Sequence, residues 1–269
     1  MKQSIEEITK RLEQGVKEVF TSERYAEYLT AMGKFPDYSF NNICLIMMQK
    51  PDASLVAGYK AWQTKFNRQV RKGEKGIKIL APMQRKYKKM VEADGKTEEQ
   101  EVSYMSYFAT TVFDISQTDG EELPKIVIPL KGSVEDYDSL ITKLISIAPV
   151  PVIIRSIDGT ALGYYDDIIK QIVIKEGMAQ QQTLETLIHE IAHSLLHGKD
   201  GIKADRNTRE VQAESIAYVV AQQLGLDTSD YSFGYIAEWS AGKELKELSA
   251  SMDVIHKTSM QIIENIQAA

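Results

Sequence analysis

The segment LIHEIAHSLLHG, residues 187–198, holds three of the four histidines in a chain of 269 residues. They are His189, His193 and His197, each four residues from the next. At ~100° per residue, His189 and His193 fall about 40° and one turn apart on a helix. Two imidazoles so placed can converge on one metal ion. Leu184, Leu187, Ile188, Ile191, Leu195 and Leu196 form a separate apolar stripe. That pattern predicts a helix with one buried face, ending at Gly198.

Glu190, next to the first histidine, is placed to take a proton from a water at such an ion. This is the HExxH arrangement of zinc peptidases. His197 stands ~12 Å along a straight helix from His189, too far to share an ion whose bonds to nitrogen are ~2.0–2.1 Å. It reads as structural. A third ligand must come from the next predicted helix, TREVQAESIAYVVAQQLG, which offers Glu210 and Glu214 on one face. Glu214 lies 21 residues after His193, enough for one loop and an antiparallel return, and it is the expected ligand. Glu210 is then expected to orient an imidazole N–H, although the opposite assignment stays open. Tyr164, Tyr165 and Tyr218 are candidate donors to a developing oxyanion. The strand QIVIKEG is a candidate edge along which a substrate backbone pairs.

A second cluster is basic and aromatic. Residues 60–96 hold twelve Lys/Arg against three Asp/Glu, a local +9, whereas residues 97–269 carry −14 of a total charge of −6. Cations neutralise phosphates and flat side chains stack on unpaired bases. Tyr59, Trp62, Arg68, Arg71, Lys72, Lys75 and Lys78 are the expected contacts to single-stranded nucleic acid. The competing reading is a solvated cationic face over a core that contains the rings.

The elements that must carry these residues follow from periodicity. Residues 5–32 are helical in spacing, with a break near Thr21-Ser22. SFNNICLIMMQK is a helix with Ser39 as N-cap, stopped by Pro51. SLVAGYKAWQ begins as a strand and turns irregular. VRKGEKGIKILAPM sets a basic glycine turn before a strand, and VSYMSYFATTVFDIS is a long strand expected to pair with it. The polar stretch between them reads as an exposed tip or loop. SQTDGEELPK, 116–125, is the expected domain junction. Beyond it come a helix over 134–147, a strand at VPVIIRS, a hairpin in ALGYYDDIIKQIVIKEG, and helices over 183–197, 208–224 and 242–266. The expected fold class is α+β in two domains, 1–118 and 126–269, the second mainly helical with a small sheet.

The single cysteine excludes an internal disulfide and fits a reducing compartment. The first residues are charged throughout, without the apolar core of a signal peptide. No run approaches the ~18–20 apolar residues of a membrane span. The expected location is cytoplasmic, with no membrane partner.

YSFNNICLIMMQKPDASLVAGYKAWQTKFNRQVRKGEKGIKILAP, residues 38–82, closely resembles the N-terminal single-stranded-DNA-binding domain of ArdC-type antirestriction proteins. Its S-x-x-N helix, Q-x-P, A-G-Y-x-x-W and V-R-K-G-E-K-G-I appear in order. LIHEIAHSLLHG with REVQAESIAYVVAQQLGL looks like the zincin-type metallopeptidase domain that accompanies it, related to the ImmA/IrrE peptidases. The resemblance covers about residues 23–226. It implies a protein of mobile elements that handles single-stranded DNA, with Zn2+ on His189, His193 and Glu214 and Glu190 as catalytic base acting on a protein substrate. Asn67-Arg68-Gln69 departs from the Gly-Arg that many members carry; asparagine can still adopt the left-handed turn. The alternative is a non-catalytic DNA-binding antirestriction protein whose zinc is structural.

Overall fold

The computed structural model describes residues 5–93, 96–121, 123, 134–198, 201–229, 231 and 233–269. The N-terminal helices are α1 (Ile5–Val19), α2 (Ser22–Lys34) and α3 (Phe40–Gln49). Thr21, in extended conformation, separates the first two. The Ser39 carbonyl accepts the first bond of α3, and Pro51 follows its last turn. Next come β1 (Val56–Gly58), a short α4 (Tyr59–Thr64), β2 (Arg68–Val70), β3 (Ile77–Ala93), β4 (Lys96–Asp114) and β5 (Thr118–Gly120). The remainder is α5 (Val134–Ile147), β6 (Val152–Arg155), β7 (Gly163–Asp166), β8 (Gln171–Lys175), α6 (Gln180–Leu196), α7 (Arg206–Gln223), α8 (Ile236–Ser240) and α9 (Leu245–Ala268). The class is α+β, as expected. Among the described residues no helix is long and apolar enough to cross a membrane.

Residue contacts divide the chain into two compact units, Met1–Gly15 with Cys44–Glu122 and Val16–Ile43 with Leu123–Ala269. A single cut between 118 and 126 does not describe this partition. The reason is packing: Tyr25, Tyr28, Leu29 and Met32 are fully buried, and α2 finds its partners on α7 and α9.

In the first unit β1, β4 and β3 form an antiparallel sheet in that order, and β2 pairs with β5. Pairing of β3 with β4 runs from Ile77↔Val112 to Ala93↔Lys96. The polar stretch expected as a tip or loop is therefore mostly a continued two-stranded ribbon. Ile77, Ile79 and Val112 alternate inward with Val56 and Trp62 into the core. Asp114, at the end of β4, accepts from the backbone N–H groups of Ser54, Leu55 and Ser116. Gln117 accepts from Asp114 N–H and donates to the Lys75 carbonyl and Glu74. These bonds tie the basic turn to the sheet. Asn67 takes φ 51°, the left-handed conformation anticipated for it.

In the second unit the sheet order is β6-β8-β7, with β6 parallel and β7 antiparallel to β8. The strand QIVIKEG, which contains β8, is thus central rather than an edge, and Ile172, Val173 and Ile174 are fully buried. The edge beside the histidine helix is β7. Helix α7 packs against α6, α9 and α2; Val211, Ala213, Ile216, Ala217 and Val220 are among its buried residues. A rim of rings, Tyr25–Phe233 at 5.1 Å and Tyr218–Phe233 at 5.3 Å, closes the same core.

Candidate functional site

Helix α6 buries Leu184, Leu187, Ile188 and Ile191, which turns His189 and His193 toward the neighbouring α7. Their Nε2 atoms stand 3.0 Å apart. Oε2 of Glu210 lies 3.7 Å from Nε2 of His189 and 3.5 Å from Nε2 of His193. Ligand atoms ~2.0–2.1 Å from a tetrahedral zinc stand about 3.3–3.4 Å apart, so the three atoms fit one cation. Among the described residues, His189, His193 and Glu210 are grouped as a metal-holding cluster.

Glu214 occupies the other place. Its Oε2 lies 3.3 Å from Nδ1 of His189, behind the ring rather than in front of it. Glu210, rather than Glu214, is thus the carboxylate that stands near both Nε2 atoms. The cause is the turn of α7: both carboxylates share a face, but only Glu210, one turn earlier, reaches the gap between the two rings.

The charges respond to this packing. Burial alone would lower the His189 pKa, but the carboxylates of Glu210 and Glu214 outweigh it and hold the ring up at about 9. Glu210 falls well below the usual carboxylate range, first through its bond with His189 and then that with His193. Burial raises Glu190, against the pull of both imidazoles and of the Tyr165 backbone N–H that its carboxylate accepts. His197, the residue that ends α6, is pushed down to about 4 by burial, against the hydrogen bond with Gln212.

Glu190 and His189 line two adjoining hollows. One, of 600 Å³, includes Gly163, Tyr164, Tyr165, His193, Arg209 and Glu210. The other, of 380 Å³, includes Leu162, Glu185, Glu214 and Tyr231. Gly163 begins β7 at the junction. A Cβ there would stand 2.7 Å from Cγ2 of Thr186 and 3.1 Å from the Val173 carbonyl oxygen, so only glycine lets the edge strand lie this close to α6.

Of the three candidate tyrosines, Tyr164 and Tyr165 line the larger hollow and each has a hydrogen-bond partner, as does Tyr218. Tyr164 Oη accepts from Arg155, Tyr165 Oη donates to Asp167, and Tyr218 Oη accepts from Gln222. Tyr231, which sequence reasoning passed over, lines the smaller hollow. Burial raises its hydroxyl, and the nearby Glu185 and Glu214 carboxylates add to that. It lies outside any helix or strand, so no periodicity points to it.

The expected nucleic-acid contacts separate into three groups. Trp62 is fully buried and donates through Nε1 to the Phe113 carbonyl. It is core, with no face to offer a base. Arg68 braces the β2–β5 pair, donating to Thr118 Oγ1 and to the carbonyls of Thr118, Gly120 and Glu121. Arg71 is held by Glu74, Asp119 and the Ser116 carbonyl, and Lys78 donates to Thr111. Lys72 and Lys75 are exposed, as is Tyr59 at 51 %. The β4 ribbon adds three exposed rings that charge counting missed, Tyr104, Tyr107 and Phe108, with Arg85 opposite Tyr104.

Comparison with known proteins matches two stretches of the chain. Residues 1–113 match the N-terminal domain of anti-restriction factor ArdC, and residues 148–231 match the IrrE N-terminal-like domain, a peptidase family. The chain thus joins a region similar to the ArdC N-terminal domain to a region similar to the IrrE N-terminal-like domain. Its fold resembles the crystal structure of the antirestriction ArdC protein from the R388 plasmid in its metal-free form, with a TM-score of 0.52 at 20 % identity over 86 % of each chain. The Mn(II)-bound form of that protein gives a TM-score of 0.51 at 19 % identity over 85 % of each chain. An uncharacterized protein of Bacillus anthracis is 27 % identical across 99 % of this chain. The chain spans about half the length of that curated relative, 52 % of it.

Proposed function

We propose that the chain couples single-stranded-DNA binding to a metal-dependent peptidase centre. The observation that carries the second half is the convergence of His189 Nε2, His193 Nε2 and Glu210 Oε2 at 3.0–3.7 Å beside Glu190. Two imidazoles and one carboxylate suit a divalent cation, and zinc above others. When bound, it supplies polarisation of a water and of the scissile carbonyl.

The remaining chemistry belongs to the protein. Glu190, raised by burial, is a base able to take a proton from water and return it to the departing amine. The edge strand β7 offers backbone groups to an extended peptide. Tyr231 on the opposite wall keeps its proton and is placed to donate to the carbonyl oxygen. The ArdC match supports the DNA half, in which Lys72 and Lys75 meet phosphates while Tyr59 and the β4 rings meet bases.

The deciding experiment compares wild type with Glu190→Gln on unfolded protein and peptide substrates, with metal content measured on both. Peptidase chemistry requires equal metal and hydrolysis by wild type alone. Metal and DNA binding without any cleavage by wild type would favour a DNA-coating protein whose metal is structural.

A further inference from the structure

Among the described residues no carboxylate lies behind His193, as one does behind His189. Its Nδ1 lies 2.9 Å from Nδ1 of His197, whose Nε2 lies 2.9 Å from Oε1 of Gln212. Gln212 Nε2 then donates to Ser251 Oγ at 3.0 Å. Gln212 and Ser251 are 3 % and 7 % exposed, so the chain ends inside the core between α7 and α9.

With both rings neutral and the Gln212 oxygen facing His197, one proton arrangement satisfies the chain. A neutral imidazole carries one N–H and one lone pair. Gln212 presents its oxygen to His197, so His197 must carry its proton on Nε2 and leave a lone pair on Nδ1. That lone pair obliges His193 to carry its proton on Nδ1. The Nε2 lone pair of His193 then faces His189 and Glu210. Turning the Gln212 amide over would reverse every bond and put a proton on the face that must bind a cation. In the arrangement found, the amide nitrogen donates to Ser251 Oγ and the oxygen faces His197.

We propose that Gln212 is a positioning residue for the metal centre, acting through His197 to hold His193 in its Nδ1–H tautomer. This rests on the reading of His189, His193 and Glu210 as a metal site. It also gives His197 a task beyond ending the helix: it hands the orientation of a buried amide on to a ligand.

The test uses the full-length protein with zinc in competition with a chromophoric chelator, and nitrogen-15 NMR of the imidazoles in the metal-free state. Partners of ligating histidines typically alter metal affinity by ~10–100-fold. Gln212→Met and His197→Phe should each lose about that much. His197→Asn, whose Oδ1 can accept where Nδ1 did, should recover most of the loss. Thermal unfolding of the metal-free variants separates this from general damage, since both His197 substitutions disturb packing but only one keeps the acceptor. Gln212→Met at wild-type affinity, or His197→Asn as poor as His197→Phe, would overturn the proposal, as would an Nε2–H tautomer for His193 in the wild type. A wild type that carries the Nδ1–H tautomer yet takes up no metal would sink the metal-site reading and leave the relay standing.

Discussion

The Glu214 carboxylate stands 3.3 Å from Nδ1 of His189, on the side of the ring away from His193. On the proposed metal site, Glu214 holds the ring and Glu210 completes the ligand cluster. Glu210→Ala should lower metal affinity by more than the ~10–100-fold typical of a supporting partner, and Glu214→Ala by no more than that. Isothermal titration of both variants measures the order; a greater loss in Glu214→Ala would return the ligand role to that residue.

The metal-free protein should have a stability optimum near pH 6.5. His189 is raised from 6.5 to about 9, so its contribution is fully present below pH 6.5 and is lost as pH rises through about 9. His197 is lowered from 6.5 to about 4; the unfolded chain binds the extra proton between those values, and stability falls as pH drops across them. Denaturant midpoints of the metal-free protein between pH 4 and 9 test both arms. In His189→Gln the alkaline arm should flatten while the acid arm persists.

Much of this site was legible because it depends on spacing within single helices. HExxH fixes two rings on one face, and rare histidines clustered in one segment stand out without any fold. The assignment between Glu210 and Glu214 was not legible, since both share the face of α7 and only the approach of two helices decides which reaches the gap. The same limit hid Gln212, an ordinary amide until its distances to His197 and Ser251 are known. In the first unit the basic turn and both strands follow from composition. Trp62 and Arg68 misled because charge counting cannot tell a solvated cation from one spent on backbone carbonyls. The attachment of α2 to the C-terminal unit is a tertiary choice that no local pattern expresses.

Gly163 offers a test of the edge strand that removes no ionisable side chain. An added Cβ would meet the Thr186 methyl of α6 at 2.7 Å and the Val173 carbonyl of β8 at 3.1 Å, so both neighbours must give. Gly163→Ala should push β7 off α6 and cost about 1–3 kcal/mol, the usual range for overpacking. Metal affinity should stay close to wild type, because no ligand moves with β7. Hydrolysis should fall through kcat/KM. A variant with wild-type kcat/KM would remove β7 from the substrate path.

The DNA half of the reading turns on which rings and cations are still available. Trp62→Ala should cost about 3–5 kcal/mol, as large aromatic truncations in cores do, and should reduce DNA binding only as far as it unfolds the unit. Arg71→Ala should loosen the basic turn by breaking its bonds to Glu74 and Asp119. Lys72→Ala and Lys75→Ala remove exposed cations, so each should flatten the dependence of log affinity on log salt by about 0.7, the value for one phosphate on a single strand. Tyr59→Ala, Tyr107→Ala and Phe108→Ala should leave that slope unchanged. Any of these rings that stacks on a base should weaken binding by ~1–3 kcal/mol. Fluorescence anisotropy with a labelled oligothymidine across a salt series, alongside duplex of equal length, reads all of these effects. If the lysine variants keep the wild-type slope and the ring variants keep the wild-type affinity, the cationic turn is only a solvated face and the DNA site lies elsewhere.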